Sequence, residues 1–191
     1  IAIGLAAMDV LTTGICNVAI GTNALGVSTT GCENIAIGSS ALGLADTTGV
    51  DNVAIGRNSM DVLTTGICNV AIGPNALGAA TTGCYNVAIG EQTMGGAVTT
   101  GWDNVAIGTN AMDALTSGCC NVAIGRGAVG GSLTGKGEIA IGIGALAAAV
   151  TGVDNIAIGL AAMDALTTGI CNIAIGTNAL GVSTTGCFNI A

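Results

Sequence analysis

The stretch from Asn17 to Gly38 reads NVAIGTNALGVSTTGCENIAIG, so the phrase N-[VI]-A-I-G at Asn17 to Gly21 returns at Asn34 to Gly38. The glycine closing that phrase falls at 4, 21, 38, 56, 73, 90, 108, 125, 142, 159 and 176, a step of 17 residues that becomes 18 after Gly38 and after Gly90. A fixed short period is the mark of a stacked repeat architecture. Eleven units fill residues 1–191 as a single repeat domain.

A longer period lies above the short one. Met8-Asp9, Met60-Asp61, Met112-Asp113 and Met163-Asp164 recur every 52, 52 and 51 residues, so three short units make one long unit. The two positions after the phrase-closing glycine vary freely: Thr22-Asn23, Ser39-Ser40, Arg57-Asn58, Pro74-Asn75, Glu91-Gln92, Ile143-Gly144. The copies have diverged where structure allows, and the positions that stay fixed carry information.

The fixed positions predict one coil of an all-β parallel solenoid or β-roll. In Asn17-Val18-Ala19-Ile20-Gly21 the larger residues alternate with Ala, a short strand pattern, and the glycine permits a corner. A small residue and an aliphatic one follow, as in Ala24-Leu25 and Ser59-Met60, and a Thr-rich extended stretch closes on a second glycine such as Gly14, Gly31 or Gly49. Two glycines, an Asn and β-branched Thr in every unit oppose a helix. Eleven coils stacked about 4.8 Å apart give a rod on the order of 50 Å long.

Stacking turns fixed positions into ladders. Asn17, Asn34, Asn52, Asn69, Asn86, Asn104, Asn121, Asn155, Asn172 and Asn189 form a column broken only by Glu138. Buried side-chain amides in such a column bond to the coils above and below. A Thr or Ser before each turn glycine, such as Thr13, Thr30 and Ser117, is expected to form a second column. With Val18 and Ile20 taken as inward, Ala19 and its copies face out, and an outer column of nothing but Ala is expected to pack against another copy of the chain.

Eight cysteines sit beside the Asn column. Cys16, Cys68, Cys120 and Cys171 directly precede Asn, whereas Cys32, Cys84 and Cys187 stand two before it. In the third long unit Lys136 takes the second place and an extra cysteine appears at Cys119. Loss of one with gain of another predicts disulfides Cys16–Cys32, Cys68–Cys84 and Cys171–Cys187, with Cys119 and Cys120 joined as a vicinal pair or crossing between chains. Neighbouring coils bring Cα atoms within the roughly 4.4–6.8 Å that a disulfide spans. Each bridge would stabilise by about 3 kcal/mol on the loop-entropy model. Buried free thiols are the alternative.

Composition excludes much. Three Lys plus Arg against eleven acids, a net charge of -8, leave no cation cluster for nucleic acid. The longest apolar run, Ile139 to Val150, is too short for a membrane span. The chain has no His, hence no Ser-His-Asp or Cys-His catalytic set, and no CxxC pair for zinc. The glycine-rich run from Gly125 lacks the phosphate-cradling lysine motif. Asp9, Asp61, Asp113 and Asp164 are expected three coils apart, too far to share a metal. No enzyme, metal or cofactor is expected. The start at Ile1, without a basic leader, and the stop at Ala191 in mid-repeat read as an excerpt of a longer fibrous chain.

The motif N-[VI]-A-I-G-x-x-A-L followed by T-T-G resembles the repeats of phage and large-virus tail-fibre proteins. Its core V-A-I-G-x-x-[AS] is similar to the head repeats of YadA-like trimeric autotransporter adhesins. The resemblance covers all eleven units and implies a homotrimeric parallel β-shaft at an extracellular or virion surface. The phrase IGTNAL at Ile20 to Leu25 also resembles hexapeptide acyltransferases, but it occurs once per coil and no histidine is present. The expectation is the structural shaft of a fibre, self-associated as a homotrimer. An adhesive module would instead meet a cell-surface receptor or glycan at corner residues such as Arg57, Glu91 or Trp102. An ice-binding solenoid is a third reading, drawn from the Thr columns.

Overall fold

A computed structural model describes every residue except Ser132 and Ala149. Eleven short strands follow one another along the chain: β1 (Ala2–Ile3), β2 (Val18–Ile20), β3 (Ile35–Ile37), β4 (Val53–Ile55), β5 (Val70–Ile72), β6 (Val87–Ile89), β7 (Val105–Ile107), β8 (Val122–Ile124), β9 (Ile139–Ile141), β10 (Ile156–Ile158) and β11 (Ile173–Ile175). They form one parallel sheet in chain order, β1 to β11. Ala19 lies beside Ala36 and Ala36 beside Ala54, so each repeat stacks in register on its copy. The expected all-β parallel solenoid is the observed architecture.

The two 18-residue coils keep that register. Ile35 pairs with Val53 across one and Val87 with Val105 across the other. The extra residue lies off the sheet, between Leu42 and Gly49 and between Met94 and Gly101. In the first arc Leu44 and Ala45 both donate their N–H to the Asp61 carbonyl, at 2.8 and 3.1 Å.

The faces of the strand are the reverse of the expectation. Ala19 and its copies through Ala174 are fully buried, whereas Val18 and Ile20 stay partly exposed and Ile72, Ile107 and Ile124 reach 37–38 %. The reason is parity. Asn17, Ala19 and Gly21 are two residues apart and share one face of the strand, and the buried Asn places all three inside. The interior there admits nothing larger. A Cβ on Gly73 would lie 2.5 Å from the Gly90 carbonyl oxygen of the next coil. The Ala column therefore carries no intermolecular contact.

Opposite the Ala column runs the bulk of the core: Leu25, Leu42, Met60, Leu77, Met94, Met112, Leu146 and Met163, all buried. These residues hold left-handed backbone (Leu25 φ 50°, Met60 φ 50°), and so do Asn23 and Asn58 two residues earlier. Left-handed φ at a leucine costs about 1–2 kcal/mol, which burial of the same side chain, worth roughly 1.5–3 kcal/mol, offsets. A third inner column holds Leu63, Ala80, Leu115, Leu133, Val150 and Leu166, with hydroxyls in other coils. Ser28 and Thr47 there are buried and donate to the Thr47 and Leu63 carbonyls of the next coil, at 2.7 and 2.8 Å.

Candidate functional site

The Asn ladder is built as the repeat predicts. Asn52 Nδ2 donates to Asn34 Oδ1 in the coil before (3.1 Å) and to the Gly66 carbonyl in the coil after (2.9 Å). Its Oδ1 accepts both the backbone N–H and the Nδ2 of Asn69, each at 3.0 Å. Asn17, Asn34, Asn69, Asn86, Asn104, Asn121, Asn155 and Asn172 are buried as well, and Asn189 closes the column in the last, exposed coil. This is a structural ladder with its polar groups satisfied.

Glu138 replaces one rung. It is fully buried, its N–H donates to Asn121 Oδ1 at 2.9 Å, and its carboxyl is pushed up to about 7. Burial is the main cause; hydrogen bonds from the Asn155 side chain and backbone pull the other way, and Asp154 adds a smaller upward push.

The hydroxyl column before the turn glycine is formed but bonds along the stack only at some rungs: Thr48, Thr100 and Thr151 Oγ1 donate to the Thr64, Thr116 and Thr167 carbonyls at 3.4, 3.3 and 3.4 Å. Thr13, Thr30 and Ser117 are exposed. The shorter bonds to the next coil come from the preceding residue: Thr12 Oγ1 to Thr29 O at 2.9 Å, Thr64 Oγ1 to Thr81 O at 2.8 Å, Thr167 Oγ1 to Thr184 O at 2.9 Å.

All eight cysteines carry free thiols, so the predicted pairs Cys16–Cys32, Cys68–Cys84 and Cys171–Cys187 are not formed, nor is a Cys119–Cys120 bridge. Register is the reason. Val18 pairs with Ile35, which sets Cys16 opposite Glu33 and Cys32 opposite Ile15. Cys16 holds left-handed backbone (φ 61°) and is exposed. Cys32 Sγ instead accepts the Ile15 N–H at 3.5 Å and donates to the Thr30 carbonyl at 3.3 Å. Cys119 and Cys120 stand next to each other in one coil; desolvation and then contact with the Cys119 thiol push the Cys120 thiol up.

Among the described residues no group of three or more His, Cys, Asp or Glu side chains could hold a metal ion. Nor is any helix among the described residues long and apolar enough to cross a membrane. The corner residues Arg57, Glu91 and Trp102 are all exposed.

Two surfaces stand out. One is the outer face of the sheet, two aliphatic columns running its length: Val18, Ile35 and Val53 onward, and Ile20, Ile37 and Ile55 onward. The other is a groove on neighbouring coils lined by Thr82, Cys84, Tyr85, Thr100, Trp102 and Asp103. The sequence marked Trp102 but not Tyr85, because only the register shows that residues about one coil apart meet.

Compared with known proteins, the chain matches no family model, no curated protein and no solved structure.

Proposed function

We propose that this chain is the self-associating shaft of an extracellular or virion fibre, with copies packed through the Val/Ile face of the sheet. The observation that carries the reading is that face: every full strand from β2 to β11 points two β-branched aliphatic side chains away from the core. Together they offer on the order of 1,000 Å², the scale of the roughly 800 Å² per partner that a stable interface buries. An apolar strip of that size on a lone chain would be a liability. Three chains around a common axis is the arrangement that the resemblance to trimeric adhesin heads implies. The work of such a shaft is mechanical, with stacked amides and main-chain hydrogen bonds supplying stiffness and without disulfides.

Native mass measurement tests it. A multiple of the chain mass, falling to the single chain in an Ile89→Lys, Ile107→Lys double variant, is the expected result. A stable monomer at micromolar concentration sinks the proposal.

One observation favours a second reading. An exposed hydroxyl stands at the same place in each of the eleven coils, from Thr13 and Thr30 to Thr168 and Thr185, with Ser117 the one serine. Such a row on a regular solenoid is the geometry an ice-ordering face needs. Trp102 and Lys136 interrupt the column two residues further on, which weighs against a flat array. Thermal hysteresis of the purified protein separates the two readings.

A further inference from the structure

We propose that the groove between Tyr85 and Trp102 binds a small organic cation, a quaternary or methylated ammonium group, against two aromatic faces and the Asp103 carboxylate. The register builds the site. Cys84 pairs with Trp102 across neighbouring coils, so Tyr85, the next residue, stands beside Asp103. The chain has three aromatic residues in 191, and two of them line this one groove of about 400 Å³.

Neither ring serves the core. Tyr85 is 51 % exposed and Trp102 49 %, and the same two columns hold Cys16, Asp51 and Cys68, and Ile15, Val50 and Ile67, in the coils below. Glu33 stands in the first of these columns too, and the fold is satisfied there without a ring. Large apolar rings kept half in water beside a carboxylate call for a ligand that is both weakly hydrated and positive.

Charge selects among ligands. No Lys or Arg lines the groove, and the chain as a whole carries -8. Aromatic faces carry negative electrostatic potential and attract alkylammonium ions within about 6 Å of the ring centre. An anion would be repelled by Asp103 and by the overall field. The hydroxyls of Thr82 and Thr100 on the rim give a hydroxyl-bearing ligand such as choline a further hydrogen-bonding partner. The site uses columns other than the Val/Ile face, so it stands whether or not copies of the chain associate, and each proposal fails on its own test.

Trp102 is the one tryptophan, so its fluorescence reports on this groove alone. Choline chloride is titrated at constant ionic strength beside 3,3-dimethyl-1-butanol, its neutral isostere, and glucose. A saturable change with choline and none with the other two is expected. Asp103→Asn, nearly isosteric, and Tyr85→Cys, a residue that this column already carries at Cys16 and Cys68, should each weaken binding roughly tenfold. Unchanged circular dichroism and melting temperature show that these variants fold. The proposal is overturned if the neutral isostere matches choline, if glucose saturates in its place, if the choline response never saturates, or if Asp103→Asn binds as the parent does.

Discussion

Glu138 holds Asn155 at two points: Oε1 accepts Asn155 Nδ2 at 3.1 Å and Oε2 accepts the Asn155 backbone N–H at 3.2 Å. The acid thus performs the accepting half of an amide's work. It has no donor for the other half. Asn104 Oδ1 receives both the N–H and the Nδ2 of Asn121, whereas Asn121 Oδ1 receives only the backbone N–H of Glu138. A proton on the carboxyl restores a donor.

Stability should therefore fall as pH rises through this group. Its folded value of about 7 lies above the ordinary 4.5, so between the two the folded chain keeps a proton that the unfolded chain has lost. The contribution is complete below the lower value and gone above the upper, a swing of roughly 3 kcal/mol. Urea melts of the parent and of Glu138→Asn at pH 5 and pH 8 check it. The variant should lack this pH-dependent loss and be the more stable of the two at pH 8; parallel pH profiles would refute the linkage.

Removing a central rung should be costly. Asn86 Nδ2 donates to Asn69 Oδ1 and to the Gly101 carbonyl, and Asn86 Oδ1 accepts twice from Asn104. Asn86→Ala leaves the buried Gly101 carbonyl and Asn104 N–H unsatisfied at about 1–3 kcal/mol each, and takes one of the bonds made by Asn69 Oδ1 and by Asn104 Nδ2. A total loss of at least 3 kcal/mol is expected in denaturant unfolding, against less than about 1 kcal/mol for Thr82→Ala on the exposed hydroxyl column.

The parity of the strand gives a paired test. Ala88 is fully buried and its neighbours Val87 and Ile89 are partly exposed. Ala88→Val overpacks the interior and should cost about 1–3 kcal/mol or more. Val87→Thr should change the stability of a dissociated chain by less than about 1 kcal/mol. The reverse ranking would restore the inward Val and Ile.

Thiol labelling under native, non-reducing conditions should find eight reactive cysteines per chain. Cys16, Cys120 and Cys171 are exposed and share one column, but Cys120 has its thiol pushed up, leaving less thiolate at neutral pH. It should react more slowly than the other two, as timed mass spectrometry of labelled peptides will show. Mass pairs linking Cys16 to Cys32 would contradict the structure.

Much of this architecture is legible in the repeat itself. The unit length, the coil count, the glycine corners and the amide column all follow from which residues recur at each step. The orientation of the strand was legible too, since a buried Asn17 already implies an inward Ala19 two residues on; weighing side-chain size over parity reverses it. The cysteine pattern misleads for another reason. Correlated gain and loss marks positions that share a surface, but whether two thiols meet depends on backbone hand and register, and Cys16 turns outward where Cys32 turns along the coil edge. The groove was legible only in half, through Trp102, because its partners lie about one coil away in sequence.

The arcs from Leu42 to Gly49 and from Met94 to Gly101 each take in one residue more than their counterparts without disturbing a single strand pair. Length can thus change on one side of the molecule while the sheet keeps its count. Recombination between misaligned copies of such a gene adds or deletes whole coils, and small insertions land in an arc that absorbs them. These arcs are also where a foreign peptide could be spliced for display, at a spacing set by the stack.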